Sequence, residues 1–168
     1  MTDVVPTGEM GKAMVNLKNL IAESTTFQDA VGASGTPEEK IAAAKEHLHL
    51  SAYTPADANF SRPFGLIVKN ASDKNPCIGV GTFAAGGDME LWLEQEIPTE
   101  YKDDDGNAEL YFMNFVDGVI GDCKVLGSQA GYLAVNSYDV IEGPLQHEVT
   151  EGFFVYLIRV MVNWGLVS

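Results

Sequence analysis

Positive charge is scarce in this sequence: 10 Lys and Arg stand against 24 Asp and Glu, a net charge of −14. Tight binding to a phosphate backbone draws its affinity from cations that displace counterions, so nucleic-acid binding of that kind is excluded. Cysteine is equally scarce. Cys77 and Cys123 lack CxxC spacing and fall in apolar segments, which predicts two free buried thiols. No GxSxG elbow, HExxH pair, GK[ST] phosphate loop or recognised Cys–His signature occurs. No apolar run reaches the roughly 20 residues of a membrane-spanning helix. The longest, Gly152 to Leu166, is interrupted by Arg159 and Asn163. The N-terminus has no basic segment leading into an apolar one, which predicts a soluble protein made in the cytosol.

What the chain does have is that last segment, GFFVYLIRVMVNWGL. Alternate residues Phe154, Tyr156, Ile158, Val160, Val162 and Trp164 form one wholly apolar row, while Phe153, Val155, Leu157, Arg159, Met161 and Asn163 form a mixed one. Period-2 alternation with β-branched and aromatic residues predicts a long strand, covered on one face and partly covered on the other. With 168 residues, 46% of them hydrophobic, the chain suffices for one core and is short for two domains. A single domain over 1–168 is expected, with 1–7 as an unstructured lead.

Upstream segments are read as what covers this strand. From about Gly8 to Glu23, Met10, Met14, Leu17, Leu20 and Ile21 recur at threes and fours, the spacing of a helix with one buried face. Phe27 to Gly32 predicts a short helical turn closed by the glycine. Thr36-Pro37-Glu38-Glu39 combines an N-cap, a first-turn proline and a capping glutamate, and starts a second helix through KIAAAKEHL. Beyond the breakers of Tyr53 to Asn59, period 2 takes over in Arg62–Asn70, Cys77–Ala84 and Asp88–Ile97. Ser72-Asp73 and Gly86-Gly87 read as the turns of an antiparallel three-strand meander. After the loop PTEYKDDDGN, a long helix is expected over about Asn107 to Leu126. Its Leu110, Met113, Val116, Ile120 and Cys123 would lie across the sheet, with Phe112, Phe115 and Val119 widening the apolar face. Gly131 then opens a fourth strand, YLAVNSYDVI, and Glu142 to Thr150 reads as a link into the terminal strand. The expected fold class is α+β: a mainly antiparallel sheet of about five strands, with N-terminal helices and one long helix packed against it.

Few residues suggest chemistry. His47 and His49 alternate as two metal ligands would, but no third ligand has recognised spacing, which leaves surface or half-buried histidines and no predicted metal. His147 beside Glu148 offers a dyad or a polar turn, the turn being the simpler reading. Gly79, Gly81, Gly86 and Gly87 lack both the phosphate-loop ending and a following helix. Asp103-Asp104-Asp105-Gly106 lacks the alternating ligands of a calcium loop, and helix capping accounts for it. No catalytic residue and no cofactor are predicted. The one unusual feature is charge placement. Asp88, Glu90, Glu94, Glu96, Glu100, Asp103, Asp104, Asp105 and Glu109 crowd one region with Lys102 as the single cation. This stretch is either a solvated face or a surface that repels a polyanion or meets a basic partner.

Several fragments together resemble the tail terminator, or tail-completion, proteins of long-tailed bacteriophages. They are AMVNLKNLIAES followed by TFQDAVG, the Arg62-Pro63-Phe64 strand, LWLEQEIP, the long helix and a closing strand ending VNWGL. The resemblance covers nearly the whole chain. It implies a small non-enzymatic virion protein without cofactor, forming a homo-oligomeric, hexameric ring at the head-proximal end of the tail. Such a ring binds the tail tube protein, stops polymerisation and joins a head–tail connector or neck protein, while DNA passes the lumen without specific binding and no membrane is involved. On that reading Asp88, Glu90, Glu94, Glu96, Asp103, Asp104 and Asp105 are candidates to face the lumen. Trp92, Tyr101 and Tyr138 are candidates for subunit interfaces, because a head-to-tail ring needs two different adhesive faces. The alternatives are another connector or neck ring protein, or a small α+β ligand-binding protein or enzyme, for which a concave pocket with convergent polar groups would speak.

Overall fold

The computed structural model describes residues 4–6, 9–50, 60–68, 86–127, 133–150 and 153–166. The described chain runs α1 (Glu9–Glu23), α2 (Thr25–Ala30), α3 (Pro37–Glu46), β1 (Leu48–Leu50), β2 (Phe64–Val68), β3 (Gly86–Glu96), a 3-10 turn (Thr99–Tyr101), α4 (Asp105–Leu126), β4 (Leu133–Thr150) and β5 (Phe153–Leu166). The fold is α+β, with a five-stranded sheet of order β1-β2-β3-β5-β4. Among the described residues only β1 and β2 pair in parallel; the other neighbours are antiparallel.

Local signals set the helix ends. Ser24 caps α2 by accepting from the Phe27 amide at 3.2 Å. Gly32, with φ at 71°, ends that turn in the left-handed conformation a glycine adopts without strain. At α3, Thr36 and Glu39 form the reciprocal capping box: the Thr36 amide donates to Glu39 Oε2 at 2.7 Å and the Glu39 amide to Thr36 Oγ1 at 3.3 Å. Asp104 accepts from the Asn107 amide at the start of α4.

The core lies between the helices and one face of the sheet. Ala13, Leu17, Leu20 and Ile21 of α1, Phe27 of α2, and Phe112, Val116, Val119, Ile120 and Cys123 of α4 meet Met89, Leu91 and Leu93 of β3 and Tyr156, Ile158, Val160, Val162 and Trp164 of β5. Register carries apolar rows across the strands. Ile67, Leu91, Val160 and Val140 stand side by side from β2 to β4. The apolar row read from the terminal strand is therefore the floor of the core.

Four expectations need correction. The three-strand meander does not form as drawn: Phe64–Val68 pairs directly with Glu90–Glu94, and β5 takes the other side of β3. The strand expected over Cys77–Ala84, with Gly79, Gly81 and the Ser72-Asp73 turn, lies outside the described residues, as do Tyr53–Asn59 and Gly131. Gly86 and Gly87 are not a turn but the first residues of β3, opposite Gly165 and Trp164, because β5 continues far enough to pair with them. Glu142 to Thr150 is not a link. It continues β4 through register shifts at Val140/Glu142, Glu142/Leu145 and Glu148/Thr150, with Gly143 at φ 98° inside one. An edge strand with bulges breaks the period-2 pattern, so it reads as a loop. Finally, Leu48–Leu50, where the second helix was expected to end at Leu48 ahead of the breakers, forms a strand beside Gly65–Ile67.

Candidate assembly surfaces

The sheet face away from the helices holds part of the acidic region, and there Glu90 and Glu94 are paired with arginines. Trp92 of β3 stands opposite Arg159 of β5, which in turn stands opposite Glu142 of β4. The Arg159 guanidinium lies 4.4 Å from the Trp92 ring centroid, a cation–π contact. Its Nε and Nη2 donate to Glu90 Oε1 at 2.8 and 2.7 Å, and its Nη1 to Glu142 Oε2 at 2.8 Å. The Trp92 indole N–H donates to the same Glu90 oxygen at 2.6 Å. The Glu142 hydrogen bond, and then Glu90, raise the Arg159 pKa further against a partial burial that opposes it. Farther along, Arg62 donates to Glu94, which is only 2% exposed. Asn163 bridges Asp88 on β3, to which it donates at 3.1 Å, and Asn136 on β4, from which it accepts at 3.1 Å.

The seven acidic lumen candidates are thus divided. Glu90 and Glu94 are buried and ion-paired, and Asp88 is half-buried against Asn163. Glu96, Asp103, Asp104 and Asp105 are exposed, joined by Glu100 and Glu109, and they gather where β3 passes through the 3-10 turn into α4. Lys102 is also exposed there, over the Phe154 ring at 5.3 Å. Sequence reading treated the whole row as one surface because cross-strand partners at Arg62 and Arg159 are far away in the chain. The one available signal was Arg159 itself, the sole charge in an otherwise uncharged strand.

Of the interface candidates, Trp92 is half-buried beneath Arg159. Tyr101 packs on the core and leans on Tyr111 at 5.6 Å. Tyr138 also packs on the core and donates its hydroxyl proton to Asp117 at 2.7 Å, a bond that with partial burial pushes its pKa up to about 12. Each is engaged within the chain.

Sequence reading missed the rim formed by β4. Among the described residues β4 is the last strand of the sheet on its side. Val140 is 50% exposed, Ile141 43% and Leu145 44%. Val140 extends the Ile67-Leu91-Val160 row on the helix side, and Leu145 stands beside Leu157 on the other face. The rim is therefore apolar on both sides. Pro144, which has no amide proton, and the bulges interrupt its outer backbone, so a contact here would be made by side chains rather than by adding a strand. Leu110, expected on the sheet-covering face of the long helix, is instead 63% exposed, and Val125 of α4 is 73% exposed.

The histidines and cysteines are placed as follows. His47 Nδ1 is 2.8 Å from the Pro63 carbonyl oxygen. His49 is half-buried and stacks on Phe60 with centroids 3.8 Å apart. Both are thus placed as half-buried histidines. Among the described residues no group of three or more His, Cys, Asp or Glu could hold a metal ion. The side chains of His147 and Glu148 lie outside the described residues. Cys123 is buried, and burial pushes its thiol up to about 12, so it stays protonated and unreactive at neutral pH. Cys77 lies outside the described residues. No helix among the described residues is long and apolar enough to cross a membrane.

No protein-family model matches this chain, and no curated protein matches it.

Proposed function

We propose that this chain is a structural ring subunit of the tail-terminator kind, which caps a phage tail tube and joins it to the head or neck. The observation that carries the reading is the apolar β4 rim, Val140, Ile141 and Leu145, together with the exposed Leu110 and Val125 on a second element, α4. A closed ring of identical subunits uses heterologous contacts, in which one patch meets a different patch on the next copy. The rim supplies one patch and the outer side of α4 the other. The exposed acids from Glu96 to Glu109 are then the surface turned to the lumen, where like charge keeps DNA sliding rather than bound.

Native mass spectrometry of the purified chain over a range of concentrations tests the reading. A hexamer is expected, and the triple variant Val140→Asp, Ile141→Asp, Leu145→Asp is expected to remain monomeric with an unchanged circular dichroism spectrum. A wild-type chain that stays monomeric and also fails to cap its cognate tail tubes overturns the proposal.

A further inference from the structure

At three residues β1 is the shortest described strand, and among the described residues it ends the sheet on the side opposite β4. Three residue pairs hold it to β2, and the Gly65 amide donates to the His47 carbonyl at 3.0 Å where that pairing starts. The two histidines here are held in opposite ways. His47 Nδ1 lies 2.8 Å from the Pro63 carbonyl oxygen and 3.2 Å from that of Ser61, so a proton on this ring has acceptors beside it. His49 stands opposite Leu66 with its ring flat on Phe60 at 3.8 Å, and Phe60 meets Phe64 edge-on at 5.2 Å. Its Nε2 is buried and has no hydrogen-bond partner. A neutral ring leaves that nitrogen as an unused lone pair, whereas an imidazolium would bury a charged N–H without an acceptor.

The surroundings add to this opposition. Burial first, then the nearby charges of Lys18 on α1 and of His47, lower the His49 pKa. The strand beside it, Phe64–Val68, carries no titratable side chain, and Glu94 beyond Phe64 is already paired with Arg62. A proton on His49 therefore needs water. The smallest opening that admits it is the release of β1, which breaks three pairings and withdraws Leu48, the one residue that this strand gives to the core.

We infer that His49 is an acid latch: its protonation releases β1 from β2 and leaves the β2-β3-β5-β4 sheet paired. The device belongs to this edge alone and does not depend on whether the chain forms a ring.

Hydrogen exchange of the full chain tests it at any assembly size, read by mass spectrometry with fragmentation to single amides and corrected for the intrinsic pH dependence of exchange. In the released strand the ring returns toward its ordinary value of 6.5, so opening takes up a proton and grows as pH falls. Between about pH 7.5 and about pH 5.5 the protection of the Gly65 amide is expected to fall by about three- to tenfold. The amides of Leu91 and Val160, in the middle of the β3–β5 pairing, are expected to keep theirs. His49→Gln, which takes no proton in this range, should lose the fall, and His47→Gln should keep it. A fall at Gly65 of less than about twofold, an equal fall at Leu91 and Val160, an undiminished fall in His49→Gln, or its loss in His47→Gln would each overturn the inference.

Discussion

Replacing Asp122 tests how α2 is held to α4. The Asp122 carboxylate accepts from the Ser24 hydroxyl at 2.7 Å, from the Thr26 amide at 3.0 Å and, more weakly, from the exposed Thr25 hydroxyl at 3.4 Å. Ser24 is itself fully buried and caps α2, so one hydroxyl links the helix amide of Phe27 to a carboxylate 98 residues away. Hydrogen bonds to a charged group contribute roughly 1.5 to 3 kcal/mol each, but Asp122 is half-buried, and water competes for its oxygens. Halving two such bonds leaves about 2.5 kcal/mol. Asp122→Ala returns about 0.5 kcal/mol through the better helix propensity of alanine, for a net loss of about 2 kcal/mol. In a chain of this size the loss lowers Tm by about 4 to 8 °C, read by circular dichroism at pH 7. Burial alone would raise the Asp122 pKa, but the Thr26 amide and the Ser24, Thr26 and Thr25 hydroxyls hold it below its ordinary 3.8. The folded state thus binds this proton less readily than the unfolded one. The stabilisation is complete above the ordinary value and is lost as pH falls through the lower folded value. The gap between wild type and Asp122→Ala should accordingly close in acid. A Tm loss under about 1 °C, or a Ser24→Ala, Asp122→Ala pair whose effects simply add, would refute the linkage.

Gly143→Ala should cost at least about 2 kcal/mol, because φ is 98° and a Cβ there would lie 2.7 Å from the Leu157 carbonyl oxygen; urea unfolding measures it. Arg159→Met should cost about 2 to 3 kcal/mol by leaving the buried Glu90 with only the Trp92 indole, and adding Glu90→Met should recover most of that loss. Equal instability of the single and double variants would show that the Arg159–Glu90 charge balance is not what matters. His49 has its pKa lowered by burial first and then by the nearby charges of Lys18 and His47, so it folds neutral. Its contribution is whole above the ordinary 6.5 and declines as pH falls from there through the lower folded value, and His49→Phe, which keeps the stack on Phe60, should flatten that decline in thermal unfolding.

Elements whose burial is local in sequence were legible, and elements defined by a distant partner were not. The six alternating residues from Phe154 to Trp164 announced the core floor, and Thr36 with Glu39 announced α3, because each pattern is complete within a few residues. Leu48–Leu50 is three residues long, too short for any period, and exists as a strand because Gly65–Ile67 lies beside it. The far half of β4 carries Glu142, Gly143 and Pro144, a turn-like composition that holds strand pairing only through bulges against β5. Register is likewise a property of pairs. One strand's alternation showed that Glu90 and Glu94 share a face, but not that Arg159 and Arg62 are there to meet them. The same reasoning explains how an acidic row became two different things. Where β3 has neighbours on both sides, its glutamates acquire cross-strand arginines and become buried structure. Where the chain leaves the sheet after Glu96, no strand supplies a cation and the acids stay in water. The part of the acidic region that stays exposed is therefore the segment from Glu96 to Glu109, outside the pairs that Arg62 and Arg159 make.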